Sequence, residues 1–282
     1  MLQSELERFI AEDLGPEDDS SAIIPEVFAE AKVIAKEDCV ISGLAEACEI
    51  LDYFGLEHSS CLKDGQIVPC GTEVLTIRGN ARRILQSERL VLNFMARMSG
   101  ISTLTRECVL RAGGVRVACT RKTTPGFRAF EKKAVFLGGG DPHRFNLSGA
   151  VLIKDNHIKI LGLEGSINAA RQRASFSKKI EAEVEDLESM RLAAKLGVDI
   201  IMFDNMDPSE IERGVKILTE MGLRQSVILE ASGNITPENI QAYAGSGVDV
   251  ISMGSLTRNA RWTDLSLDVE LVRRETDLGC DS

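Results

Sequence analysis

Beyond residue 115 short apolar runs alternate with longer stretches of helical periodicity. Val115–Cys119, Ala150–Ile153, Ile180–Val184, Asp199–Phe203, Val227–Leu229 and Asp249–Met253 read as strands. Apolar positions recur at helical spacing over roughly 128–137, 165–174, 186–196, 208–221 and 237–245. Gly197 and Gly222 stand where helix C-caps belong. Asp207-Pro208 and Thr236-Pro237 each supply an N-cap followed by proline at the first helical position. Repetition of this kind implies parallel strands joined by helical crossovers. Six or seven such units predict a β/α barrel or most of one, with a doubly wound open sheet as the alternative.

The first hundred residues are mixed in type. Residues 3–12 read as a helix, Glu30–Cys39 alternates like a strand, and Leu44–Phe54 is helical. Lys63-Asp64-Gly65 reads as a turn and Thr72–Ile77 as another strand. Ala81–Met98 is a long amphipathic helix, followed only by Ser99-Gly100.

Polar residues gather where the apolar runs end. Thr120-Arg121-Lys122, Lys154-Asp155-Asn156, Glu181 with Glu183, Asp204-Asn205, Glu230 through Asn234, and Ser252-Met253-Gly254 all occupy such positions. In a β/α barrel those ends converge on one rim, where active sites lie.

Charge sharpens this picture. The 282-residue chain has 33 basic and 43 acidic side chains, which disfavours nucleic acid and anionic membranes as partners. Yet Thr120–His157 reverses the balance, with Arg121, Lys122, Arg128, Lys132, Lys133, Arg144 and Lys154 against Glu131, Asp141 and Asp155. His143 and His157 lie there too. Cations packed beside three glycines predict a pocket for a small polyanion. The N-terminus has acids where a signal peptide carries basic residues, and no run reaches the length of a membrane span. Seven scattered cysteines without a Cys-x-x-Cys pair fit a reducing cytoplasm and match no zinc pattern.

Each motif also has a plainer reading. Arg121-Lys122 precedes Thr123-Thr124-Pro125-Gly126, whose turn could fix both cations at the rim or merely form a solvated loop. Gly138-Gly139-Gly140 before His143-Arg144 lets backbone amides approach an anion, or simply ends a helix. Lys154 closes an apolar strand and must snorkel or pair, with Asp155 and Asn156 placed to orient it. Glu181 and Glu183 share a strand face, and only Glu183 is near the rim. Glu183 and Asp204 suit Mg²⁺ carrying a substrate phosphate, or serve as ion-pair partners of Lys154 and Arg121. Ser232-Gly233-Asn234 and Gly254-Ser255 follow the last two barrel strands, where phosphate sites often form, although ordinary turns need small residues too.

Taken together, SERLVLNFMARMSGISTLT (87–105), TRKTTPGFRAFEKKAV (120–135), GGGDPHR (138–144), LIKDNHI (152–158), EAEVEDL (181–187), IMFDN (201–205), EASGNIT (230–236) and GVDVISMGSLT (247–257) resemble quinolinate phosphoribosyltransferase, the carboxylating nicotinate-nucleotide pyrophosphorylase family. The resemblance covers nearly the whole chain in the family's order. It implies an N-terminal α/β sandwich-like domain (1–105, completed by about 265–282) and an incomplete, seven-stranded α/β barrel of the type II phosphoribosyltransferase kind (106–264). It also implies transfer of phosphoribose from phosphoribosyl pyrophosphate to quinolinate with decarboxylation, Mg²⁺ as cofactor, and a cytoplasmic location. A homodimer, or a hexamer of dimers, is implied as well, with active sites completed between subunits.

Carried over residue by residue, Arg89 comes from the capping domain. Arg121, Lys122, His143, Arg144 and Lys154 line the substrate pocket. Glu183 and Asp204 lie near the ribose hydroxyls and Mg²⁺, Ser232, Gly233 and Asn234 with Ser252, Met253 and Gly254 hold the 5′-phosphate, and Lys122, Lys154, Glu183 and Asp204 are assigned to catalysis. Two departures stand out. Ser232-Gly233-Asn234 replaces the family's Ser-Gly-Gly, and Leu256-Thr257-Arg258-Asn259-Ala260 replaces Leu-Thr-His-Ser-Ala. The competing readings are the molybdenum-transport-associated pyrophosphorylase-like protein, a nicotinate phosphoribosyltransferase of the same fold, and a non-catalytic sugar-phosphate-binding protein.

Overall fold

The computed structural model describes residues 1–16 and 18–271, and the chain divides into two units. One comprises Met1–Thr103 together with the segment from Arg261; the other is Leu104–Ala260.

In the first unit, α1 (Gln3–Leu14) and the single turn α2 (Asp19–Ala22) lead to strand β1 (Phe28–Ala35). The β1 alternation buries Ala29, Ala31, Val33 and Ala35 on one face. The expected strand through Cys39 is broken: β2 (Cys39–Val40) is separate and pairs with β4 (Ile67–Val68). Helix α3 (Leu44–Tyr53) precedes β3 (Glu57–Ser59), and β5 (Glu73–Asn80) runs directly into α4 (Ala81–Arg111).

Helix α4 outruns the expected Ala81–Met98 because Ser99-Gly100 continues it. Ser99 and Ser102 bind Ser42 from the helix face, at 2.9 and 2.6 Å. At Gly100 a Cβ would lie 1.9 Å from the Arg261 carbonyl oxygen, so glycine there serves close backbone packing. Met95, Met98 and Ile101 on α4 join Ile50, Leu51, Ile77 and Ile84 among the fully buried side chains.

The second unit is the alternating region. Its parallel strands are β6 (Arg116–Cys119), β7 (Val151–Ile153), β8 (Ile180–Val184), β9 (Ile200–Asp204), β10 (Ile228–Ser232) and β11 (Val250–Met253). They are ordered β6-β11-β10-β9-β8-β7, which is the incomplete barrel rather than a doubly wound sheet. The crossovers carry α5 (Arg128–Leu137), α6 (Asp155–Arg173), α7 (Leu187–Lys195), α8 (Pro208–Glu220), α9 (Ile240–Gly245) and α10 (Ser255–Arg258). Helix α6 starts earlier than expected and is broken at Gly162. Thr236-Pro237 opens a turn, and α9 begins three residues later, after Asn239.

Six strands form regular ladders where the family resemblance implied seven. Beside β6 the further segment is a single parallel bridge, Ala118 to Asp141. The Asp141 N–H donates to the Val117 carbonyl and its carbonyl accepts from the Cys119 N–H. Pro142 follows without an N–H, so the ladder stops there.

At the opposite strand ends, Gly-Val-Asp recurs at 197–199 and 247–249. The Asp199 carboxylate accepts from the Ile180 N–H at 2.7 Å, and Asp249 from the Leu229 N–H at 2.8 Å. Each aspartate thereby fixes the start of the neighbouring strand. The chain then returns to the first unit as β12 (Leu265–Leu271), antiparallel to β1. The expected continuation of this return to 282 lies outside the described residues. No helix among the described residues is long and apolar enough to cross a membrane.

Candidate active site

Register decides which polar side chains meet. Glu183, Met202, Glu230 and Val250 are paired across β8, β9, β10 and β11, and so form one layer on one sheet face. Two residues further along, Asp204, Ser232, Ser252 and Ala118 form the next. Glu181 lies two residues below Glu183 on the same face. Phe203, Ala231, Ile251 and Met253 alternate to the other side and are buried. The inner face opens into a cavity of about 950 Å³ at the C-terminal strand ends.

The cations enter from loops that are pinned. The Thr124 N–H and hydroxyl both donate to the buried Glu131 carboxylate on α5 at 3.0 Å, and Arg128 Nε donates to the Thr123 hydroxyl at 2.9 Å. The Lys122 carbonyl accepts from the Thr257 hydroxyl at 2.8 Å. These bonds hold the Arg121-Lys122 turn at the cavity wall. Arg121 Nε is buried with no hydrogen-bond partner among the described residues. Lys154 N–H donates to His157 Nδ1 at 3.0 Å, and Lys154 Nζ donates to Glu183 Oε1 at 2.6 Å. Asp155, expected to orient Lys154, instead pairs with Lys159 at 2.7 Å. Burial pushes the Glu183 carboxyl above its ordinary pKa, opposed by the Lys154 bond and reinforced by the nearby Asp204 charge. No ion pair links Arg121 to Asp204 among the described residues, so that expected partnership is not formed.

The loop after the glycines is held across the barrel. His143 has φ +53°, in the left-handed region. Its own N–H donates to Asp141 Oδ1 at 2.7 Å, its Nδ1 accepts from the Arg144 N–H at 2.8 Å, and its Nε2 lies 3.3 Å from Glu230 Oε2. Because Nδ1 accepts, the ring proton sits on Nε2, toward Glu230. Burial works to lower the His143 pKa, but Glu230 and Glu181 hold it above the ordinary value; the amide at Nδ1 opposes that second proton. Arg144 lies close enough to Arg121 that burial, and then the Arg121 charge, lower its own pKa.

Below these groups is a buried acidic pair. Glu181 is fully buried with neither oxygen hydrogen-bonded, and Glu230 Oε1 is equally unpartnered. Burial and then the Glu230 charge raise the Glu181 pKa strongly. Lys132 is buried as well, its Nζ bonded to the Pro142 carbonyl and 3.4 Å from Cys119 Sγ. Burial lowers its pKa.

The far wall is the small-residue loop. At Gly233, φ is +98° and a Cβ would fall 2.3 Å from Asn205 Oδ1, so only glycine fits. Asn234 takes φ +50°, a conformation asparagine tolerates, and its Nδ2 donates to Asn205 Oδ1 at 2.9 Å. The departure from Ser-Gly-Gly thus places asparagine in a left-handed turn that it tolerates. Arg258 and Asn259 also face the cavity, so the second departure adds a cation to this side.

The cavity brings together Arg121, Lys122, His143, Arg144, Lys154, Glu183, Asp204, Ser232, Gly233, Asn234, Ser252 and Gly254. Met253 does not reach it: strand alternation buries its side chain elsewhere. Arg89 belongs to the first unit, where its exposed side chain lies 3.8 Å from Glu88. The sequence placed Glu230 and Asn205 at polar strand ends and Arg258 in a departure from the family pattern, but gave none of the three a role in the site. Glu230 was visible as a carboxylate inside a barrel strand, but its partner is 87 residues away.

Residues 18–99 match the family "Quinolinate phosphoribosyl transferase, N-terminal domain", and residues 101–268 match its C-terminal domain. The chain is 46% identical over 244 residues to a probable nicotinate-nucleotide pyrophosphorylase [carboxylating] of Methanothermobacter thermautotrophicus, covering 85% of this chain and 88% of that one. It is 38% identical over 244 residues to the Homo sapiens nicotinate-nucleotide pyrophosphorylase [carboxylating], covering 85% and 82%. Among solved structures, NadC from Streptococcus pyogenes superposes with a TM-score of 0.89 at 38% identity, covering 96% of each chain.

Proposed function

Because the chain belongs to the quinolinate phosphoribosyltransferase family, we propose that its cavity joins phosphoribosyl pyrophosphate to quinolinate, giving nicotinate mononucleotide, pyrophosphate and CO₂. This is a glycosyltransferase reaction of NAD biosynthesis. The observation that carries the reading is convergence: Arg121, Lys122, Arg144, Lys154 and Arg258 surround one cavity and face Glu183 and Asp204. Quinolinate is a dianion and the co-substrate carries more negative charge, so cations held by pinned loops bind both and place the pyridine nitrogen near the anomeric carbon.

As pyrophosphate leaves, positive charge develops at that carbon, and Glu183 and Asp204 are the carboxylates available to stabilise it. Lys154 and Lys122 stabilise the departing negative charge. The two carboxylates also fit a divalent cation: both are hard oxygen donors in the cavity, and among the described residues no cation is paired with Asp204. Glu183 and Asp204 would hold Mg²⁺, directly or through substrate, and the ion would supply charge stabilisation for pyrophosphate. Alkylation of the ring nitrogen makes the ring an electron sink, so the carboxylate on the adjacent carbon leaves as CO₂, its bonding pair stays on that carbon beside the cationic nitrogen, and a proton from water takes its place, without a covalent enzyme intermediate. The Asn234 turn, Ser232 and the Gly254 loop take the 5′-phosphate. A homodimer, or a hexamer of dimers, brings the partner's Arg89 to this cavity.

The test is release of CO₂ and pyrophosphate from quinolinate plus phosphoribosyl pyrophosphate, with nicotinate as control. Turnover with quinolinate is expected. Turnover of nicotinate alone rejects the reading.

A further inference from the structure

His143 keeps a left-handed backbone in a loop that carries Arg144 into the cavity. Such a conformation persists only where its surroundings over-determine it. Two of its hydrogen bonds are local, to Asp141 and from the Arg144 N–H. The third crosses the barrel to Glu230, which is nearly fully buried on β10. Glu230 has no other partner among the described residues: its second oxygen is unpaired, and Glu181 behind it accepts no hydrogen bond. Glu181 is also farther from the ring, at 3.9 Å against 3.3 Å.

We infer that Glu230 is a positioning residue: its carboxylate fixes the His143 ring and, through it, the backbone from which Arg144 reaches a substrate carboxylate. The inference rests on the functional reading above for its substrate, but not for the ring geometry. The Arg144 N–H occupies Nδ1, so the ring can meet the barrel only through Nε2–H, and Glu230 is the nearer buried acceptor. Glutamine at 230 keeps an acceptor oxygen at the same reach. Alanine removes it, and aspartate withdraws it by one methylene.

The experiment has two readouts. Ring ¹⁵N spectra of the full chain, followed upward from about pH 8 until the His143 signals stop shifting, because its pKa is held above the ordinary imidazole value, report the tautomer of the neutral ring; the chain has only three histidines. Wild type and Glu230→Gln are expected to show the Nε2–H form, and Glu230→Ala a tautomer mixture. In steady-state assays Glu230→Ala should raise KM for quinolinate on the order of tenfold, the effect of losing one hydrogen bond to a charged group. KM for phosphoribosyl pyrophosphate should stay within about twofold, and Glu230→Gln should restore both. If Glu230→Ala does not fold, Glu230→Asp carries the test with the same expected losses. An unchanged His143 tautomer overturns the inference, as does an equal rise in both KM values. Failure of the wild-type chain to use quinolinate condemns the functional reading instead, and the spectra still decide whether Glu230 fixes the ring.

Discussion

Glu181→Gln should make the protein more stable, by an amount that grows with pH. Glu181 is fully buried, neither oxygen accepts a hydrogen bond, and Glu230 lies on the same face. Burial, then Glu230, push its carboxyl from 4.5 up to about 8. A raised folded-state pKa means that the folded protein holds the proton more tightly than the unfolded chain. The associated stability is complete below about pH 4.5 and is lost as pH rises towards 8. At about 1.4 kcal/mol per pKa unit the loss is at most on the order of 5 kcal/mol, and about half that once relaxation and water entry are allowed for. Glutamine cannot ionise, so its advantage over wild type should rise across this window. A change of about 2 kcal/mol corresponds to roughly 4–8 °C in Tm for a chain of this size. The assay is thermal or urea unfolding of both proteins at intervals between about pH 4.5 and 9. An amide left partly unpaired would add a constant penalty, so the slope with pH is the diagnostic quantity. A stability difference that does not vary with pH, or that falls as pH rises, refutes the argument.

Two further outcomes follow from single contacts. Lys154→Ala removes the 2.6 Å partner of Glu183. Because Lys154 is half exposed and Glu183 can take up a proton, folding should change by about 1 kcal/mol or less, while turnover falls by at least about a hundredfold. Near-normal turnover, measured alongside a melting curve, removes Lys154 from the site. Gly100→Ala would gain up to about 1 kcal/mol in an open helix. Here the added Cβ meets the Arg261 carbonyl oxygen at 1.9 Å, so a loss of at least about 2 kcal/mol in denaturant unfolding is expected; equal or greater stability contradicts the packing argument.

What could be read from the chain itself was local and periodic. Alternating apolar runs marked all six barrel strands, because a strand covered on both faces must be apolar along its length. Polar strand ends marked the rim. The quoted motifs identified the family, which no charge count could have done. The tertiary structure decided what depends on pairing between distant segments. It set the reduction of the segment beside β6 to one bridge ending at Pro142, the continuation of α4 through Gly100 against Arg261, and the failure of Asp155 to orient Lys154. It also brought Glu230 beneath His143, across 87 residues. Periodicity along a strand tells which side chains share a face, but only register between strands tells which of them touch, and register is a property of the closed sheet.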